Sequence, residues 1–524
     1  MAKTRKSAKP VSPAAGAAKG KRPKTAVPAA KPKSKPKKPR VAAVTGIMAW
    51  EDDPLTTTGT RPVSAAIPTL AAPRLALTII VSNAPPPGNY TPGTAEFRYW
   101  AAAEALARAR DFWSPILPSG TNWHPGGALE VRLDEGQDLN AYYDRAGLSF
   151  FHEIVKGQTV FSGESPDVVC HELGHAILDS IRPQLWDAGY DEVGAFHESF
   201  GDMSALLSAL QLESLRNDVL LETGGRLYRS SRLSRLAEQL GWAIRQARPD
   251  LAEVDCLRNA VNTLFYRDPL TLPPSGPVAV LSSEPHSFSR VFTGAFFEAL
   301  AGMLATVQSV SGPTSADLLD VSEEIGKLLI ASILSASIVP DYYSQIAAGM
   351  IAAGEQAPYL GKHRDALKSA FVRHGILSLE AAAMVGSTPA PKKAGVGMGM
   401  MAGAAAAAAP LQVPGKKFGL GERTLLIHAP EEPRWSMAAA SSLSVGSLPA
   451  PSRNDAAEAY VSDLFRRGRV DFGDVGDKNY RICQPHCRKT HQLTRVETAN
   501  GEEHLMLKRQ RFDCGFGNLA LGFS

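Results

Sequence analysis

The sequence predicts an α+β body of two lobes, a sheet-containing N-lobe followed by a helical C-lobe. Three observations predict it. Residues 116–163 read as short strands cut by turn signals at Pro118–Gly120, Pro125–Gly127 and Ser162–Gly163. From Pro166 to about Val385, apolar residues recur almost throughout at helical spacing. The chain has 524 residues, 44% hydrophobic and 21% charged, which is ordinary globular usage and enough to bury a sizeable core. That composition excludes a wholly disordered, collagen-like or disulfide-dense chain.

Residues 1–40 hold 14 of the 56 Lys and Arg residues and none of the 52 acids, so the remainder is net acidic by ten. Runs such as KPKSKPKKPR carry no aromatic residue and cannot bury enough apolar surface to offset their ordering entropy, so a disordered arm is expected. Its charge suits contact with nucleic acid or an anionic surface, an address signal, or simply a solvated tail. It lacks the apolar h-region of about 7–15 residues that marks a secretory signal. With only five cysteines in the chain, a cytoplasmic location is expected, export by a non-standard route being left open.

Residues 41–89 are rich in Pro, Thr and Ala and read as an extended linker, with a strand at Leu75–Val81. The N-lobe is assigned to 90–210. It opens with a helix from Ala95 to Trp113, on the spacing of Phe97, Trp100, Ala101, Leu106 and Phe112. Further helices are predicted over 166–181, 190–211, 231–247, 287–307, 316–336 and 363–374, those beyond 211 forming a C-lobe that ends at 385. No run reaches the 18 or so apolar residues of a membrane span; the longest, Leu328 to Pro340, contains three serines. Cys170 and Cys256 fall in helical segments as buried thiols.

A low-complexity linker, 386–411, contains six consecutive alanines from Ala404 to Ala409, and 436–453 repeats its character. Residues 412–524 make a small C-terminal unit with a strand at Thr424–His428 and a helix near Asp455–Phe465. Two strand runs, His491–Glu497 and Glu503–Phe512, flank the hairpin signal Ala499-Asn500-Gly501. Cys483, His486 and Cys487, with His491 and Cys514, are five candidates for the four ligands of a structural metal. The spacing matches no familiar finger, so a disulfide or plain thiols stand beside it.

The chemistry is concentrated in Asp167-Val-Val-Cys-His171-Glu172-Leu-Gly-His175. On a helix, the i, i+4 spacing sets His171 and His175 on one face, where both imidazoles can reach one metal ion at about 2.0–2.1 Å. Glu172 can then lie beside the ion and contact its water without ligating. The next helix reads Gly194-Ala195-Phe-His-Glu198-Ser-Phe-Gly-Asp202. Catalytic zinc needs three protein ligands and an open position. Glu198, with 22 residues intervening after His175, is the candidate third ligand. Asp202 lies one turn on, where a carboxylate can accept the free ring N–H of a ligating histidine and fix its tautomer.

HExxH followed by ExxxD resembles the gluzincin metallopeptidases, and the flanks are similar to the thermolysin family. Asn140-Ala141-Tyr142-Tyr143 resembles that family's edge strand, Gly157-Gln158-Thr159 its approach to the zinc helix, and Gly194-Ala195 the start of its third-ligand helix. Pro285-His286-Ser-Phe-Ser, before the apolar helix Val291–Leu300, resembles the segment bearing its second catalytic histidine, and Ala370-Phe371 near Gly375 its closing helix. The similarity covers about residues 90–377. It implies one catalytic Zn²⁺ on His171, His175 and Glu198, with Glu172 as general base and His286 as oxyanion donor. Asn140 and Ala141 would hold a peptide or protein substrate as an added strand. His286 otherwise reads as a helix-capping or structural residue.

Two departures stand out. The family's second oxyanion donor, a tyrosine eleven residues after the second zinc histidine, is here Trp186, with Tyr190 as the alternative donor. Asp167 matches one ligand of the family's double calcium site, but the position expected for a later carboxylate is Ala209, so calcium is not expected there. The sequence therefore implies a zinc endopeptidase. An aminopeptidase of the same clan is a second reading, although a GxMEN motif is not found. A catalytically silent, zinc-stabilised binding or scaffold protein is a third. Oligomeric state is not read from the sequence.

Overall fold

The structure, a computed structural model, describes residues 46–54, 60–71, 75–307, 312–385, 409–433, 451–475, 489–498 and 500–514. The basic arm, most of the 386–411 linker, and Cys483, His486 and Cys487 lie outside these residues. The described architecture is mixed α+β, as the sequence implies.

The N-terminal part holds the hairpin β1 (Ile47–Ala49) and β2 (Val63–Ala65), then β3 (Ile79–Val81) and α1 (Ala95–Trp113). Five strands follow: β4 (Leu129–Arg132), β5 (Ala141–Tyr143), β6 (Gly147–Phe150), β7 (His152–Val155) and β8 (Gln158–Phe161). The helices are α2 (Pro166–Ile181), α3 (Asp191–Ala209), α4 (Glu213–Thr223) and, between the two-residue strands β9 (Arg235–Leu236) and β10 (Arg258–Asn259), α5 (Glu238–Ala247). They continue with α6 (Pro285–Ala305), α7 (Ser315–Ser335), α8 (Tyr342–Gly354), α9 (Arg364–Arg373) and α10 (Leu379–Met384). The C-terminal part comprises β11 (Leu411–Pro414), β12 (Thr424–Ile427), α11 (Arg453–Arg466), β13 (Val470–Asp471), β14 (His491–Glu497), β15 (Glu503–Arg509) and β16 (Phe512–Asp513).

The segment read as an extended linker is more structured than expected. Ile47 and Ala49 are buried, and Asp53 accepts hydrogen bonds from Ser165 Oγ (2.6 Å) and the Gln239 N–H (2.7 Å). These contacts run to residues far along the chain, which local composition does not reveal. The helix expected over 231–247 begins only at Glu238, because Arg235–Leu236 pairs with Arg258–Asn259 and Ala237 turns through a left-handed conformation (φ 52°). Helices α4, α8 and α10 fall in the helical region but outside the individually predicted segments. Tyr342–Ile351 is buried on every side, which erases the amphipathic stripe that a sequence reading looks for. Helix α6 is long and apolar enough to cross a membrane by length and composition, and 83% of that window is buried inside the fold.

One five-stranded sheet runs β16-β5-β6-β4-β3, with β5 and β16 antiparallel to their neighbours. The other runs β11-β12-β15-β14-β13. The C-terminal residues expected as a separate small unit thus supply both a sheet of their own and a strand to the first sheet. The run Glu503–Phe512 breaks after Arg509, and the Gln510 N–H goes to the Thr490 carbonyl at 2.8 Å while the chain changes sheets.

Helix α2 is the element that carries the HExxH motif, and its start is built locally. Ser165 Oγ accepts the Val168 N–H, and Pro166 sits at the first helical position, where its missing N–H leaves nothing unsatisfied. Helices α2 and α3 then approach with almost no side chain between them. A Cβ on Gly174 would meet Ser204 Cβ at 2.9 Å and Gly201 Cα at 3.0 Å. Ser165→Ala removes both the cap and the bond to buried Asp53. It is expected to lower unfolding free energy by about 1–3 kcal/mol in urea titrations; an unchanged midpoint would show that the cap contributes nothing.

Candidate metal centre

His171 and His175 lie one turn apart on α2, both buried, with ring centroids 4.8 Å apart. His171, Glu172 and His175 each bring a ligand atom within 4.8 Å of the others, and this buried group can hold a metal ion. From α3, Glu198 Oε2 stands 3.2 Å from His171 Nε2 and 3.7 Å from His175 Nε2. Two donors bound about 2.0–2.1 Å from a tetrahedral ion sit about 3.3 Å apart, so these separations suit a shared ion. The buried Glu172 carboxylate has the Cys514 thiol beside it, and both nitrogens of His175 are buried without a hydrogen-bond partner. Buried polar atoms are rarely left so, and a cation with its water would satisfy them.

Helix α3 also supports the group from behind. Asp202 Oδ1 lies 3.1 Å from His171 Nδ1, as the i+4 spacing from Glu198 predicts. Arg258 donates to both oxygens of Asp202, at 2.7 and 3.3 Å, and Thr293 Oγ1 donates at 3.3 Å. Burial works against the Asp202 charge, but Arg258 and His171 hold its carboxyl well below the usual carboxylate range. Gly201 is equally constrained, since a Cβ there would come within 2.6 Å of the His171 ring. Neither Arg258 nor Gly201 gave a sequence signal.

Electrostatics sort the titratable groups. Burial opposes a proton on His171, but its hydrogen bonds to the accepting Asp202 and Glu198 carboxylates outweigh it and push its pKa up to about 9. Carboxylates that attract a proton there attract a metal cation equally. Burial, followed by His171 and His197, drives His175 well below its ordinary value, so its imidazole is neutral, as ligation requires. Burial pushes Glu172 up to about 8 against the opposing pull of His171.

His286 reaches the group from α6. That helix begins at Pro285, earlier than the sequence suggested, so His286 rides on its first turn. Its Nε2 is 3.3 Å from Glu198 Oε2, and its Nδ1 is 2.8 Å from Glu284 Oε1. Glu284 is itself the cap of α6, accepting the Ser287 N–H at 3.0 Å. The helix cap is therefore the neighbouring glutamate, and His286 points to the metal group.

The two candidate oxyanion donors both hydrogen-bond to backbone carbonyls of the C-terminal part. The Trp186 indole N–H donates to the Arg509 carbonyl at 3.2 Å, and the buried Tyr190 hydroxyl donates to the Pro430 carbonyl at 2.7 Å. Asn140 Oδ1 accepts the N–H of its neighbour Ala141 at 2.9 Å, and the Ala141 carbonyl accepts the Cys514 N–H at 2.9 Å. Asp167 caps a turn, accepting the Ala237 N–H at 2.9 Å. Of the C-terminal metal candidates, His491 is held between Tyr460 Oη (2.8 Å) and Thr490 Oγ1 (2.9 Å). Cys514 lies instead beside Glu172.

Two residues that the sequence reading passed over complete the surroundings. The Phe512 ring stacks on His197 at 4.0 Å and on His175 at 5.0 Å. The Arg509 guanidinium lies 4.0 Å from the Phe512 centroid on its way to the Trp186 carbonyl. No family model matches this sequence, and no curated protein matches it significantly.

Asp202→Asn should weaken metal binding by roughly 10–100-fold, read by competition with a chromogenic chelator. Gly201→Ala should weaken it comparably by displacing the His171 ring. Wild-type affinity in both variants would refute the bracing role of α3.

Proposed function

We propose that the protein is a zinc-dependent endopeptidase of the thermolysin-like gluzincin kind, acting on peptide or protein substrates. The observation that carries the reading is the approach of Glu198 Oε2 to both His171 Nε2 and His175 Nε2, with Glu172 alongside. Two imidazoles, one carboxylate and an open position are a donor set of catalytic zinc. Zinc held there would supply a Lewis acid and lower the pKa of its water to about 7.

The protein's own residues would do the rest. Glu172, buried beside the Cys514 thiol, takes the proton of the attacking water and returns it to the leaving amine. Asp202, anchored by Arg258, keeps His171 in the tautomer whose Nε2 faces the site. His286, oriented through Nδ1 by Glu284, directs Nε2 toward the oxyanion that forms at the scissile carbonyl. Strand β5 supplies backbone for an added substrate strand through the Ala141 carbonyl.

A second reading, a metal-stabilised protein without catalysis, is favoured by one observation: the substrate side of β5 already carries β16. The two readings separate by experiment. Glu172→Gln should keep about one zinc per chain by elemental analysis and lower chelator-sensitive hydrolysis of a peptide library by about 10²–10⁴-fold. Equal hydrolysis by variant and wild type would sink the assignment of the base. His286→Ala should reduce turnover by about 10²–10³-fold with zinc retained; a change confined to KM would assign it to binding alone.

A further inference from the structure

We propose that the strand Phe512–Asp513 and the following Cys514 form a built-in inhibitor of this centre, seated as a substrate would be, with the Cys514 thiolate as a fourth ligand of the bound metal. The proposal rests on the metallopeptidase reading and adds its regulation.

Three observations converge. First, β16 pairs antiparallel with β5, Phe512 opposite Tyr143 and Asp513 opposite Tyr142, and the Cys514 N–H extends the ladder to the Ala141 carbonyl at 2.9 Å. The other edge of β5 is taken by β6, so the chain fills the one edge a peptide could use. Second, Phe512 is buried against His175 and His197 and is flanked by Trp186 and the Arg509 guanidinium. That is the anchoring expected of a side chain held in a specificity pocket. Third, the register carries Cys514 to the metal group. Its side chain is 2% exposed, lies against Glu172, and lines a small cavity together with His171, Asp202 and Arg258.

The space left between this strand and Glu198 and His286 is about 30 Å³, enough for one water-sized group and far too small for a peptide. Thiolate is a strong zinc donor. Ligation by Cys514 would release the thiol proton and fill the open metal position, with the sulfur left against the general base Glu172. A tethered segment competes at an effective concentration of roughly millimolar, at or above common KM values.

The test uses the full chain, stripped of metal and reloaded with cobalt(II). A sulfur-to-cobalt charge-transfer band in the near ultraviolet is expected, and Cys514→Ser should abolish it while retaining one cobalt per chain and the thermal midpoint. Zinc-loaded Cys514→Ser and Phe512→Ala should each cleave a peptide library at least about tenfold faster than wild type. Phe512→Ala keeps the thiol and so isolates the strand from the ligand. A cobalt-loaded wild type with no sulfur band overturns the thiolate assignment. A sulfur band with equal hydrolysis in all three proteins overturns the inhibitory role and leaves the peptidase reading standing. Metal binding and a sulfur band, with no hydrolysis in any of the three, overturns the peptidase reading and leaves Cys514 as a metal ligand.

Discussion

One carboxylate oxygen holds the centre together. Glu198 Oε2 lies within 3.2, 3.7 and 3.3 Å of ring nitrogens from His171, His175 and His286, three imidazoles delivered by two other helices. Placing a negative charge in a buried site is strongly unfavourable unless positive or donor groups converge on it. Helices α2, α3 and α6 satisfy that condition by packing against one another, and α3 lies between the other two. The glycines at 174 and 201 let α2 and α3 approach so closely that the His171 ring rests on bare backbone.

Around that oxygen the charges are arranged in opposed pairs. Asp202 answers His171 and is itself answered by Arg258; Glu284 answers His286. Each histidine is thus oriented by a carboxylate at its Nδ1 while Nε2 is directed inward. Rigid imidazoles with fixed tautomers lose little freedom on engaging a ligand. His175 is the exception, with both ring nitrogens unpartnered and its face covered by Phe512.

Much of this was legible in the sequence, for reasons that differ by element. Helices α1 and α2 matched their predicted limits because capping residues Thr94 and Ser165 precede clear apolar periodicity. Helical spacing fixes that His171 shares a face with His175 and Glu198 with Asp202; that the two faces meet was implied by the resemblance of the combined motif. Arg258 and Glu284 were not, since their roles depend on where distant chain segments fold back. Helix α8 was hidden because a segment buried all round has no polar face to reveal its period. The C-terminal residues were hardest. Nothing in Arg509 to Cys514 shows that the strand leaves one sheet and joins another more than 360 residues earlier in the chain, at Tyr142 and Tyr143.

That change of sheets gives the molecule a direction of opening. Only Gln510 and Arg511 separate β15 from β16. Arg509 is clamped by reciprocal bonds with Trp186 and by a bond to Tyr460 Oη. Among the described residues the short leash fixes the Arg509 side, so the strand would peel from its Cys514 end, one residue at a time, like a zip with a sewn lower stop. Whatever displaces it must first win the place beside Glu172, and the Phe512 ring stacked on His175 and His197 is the last to let go.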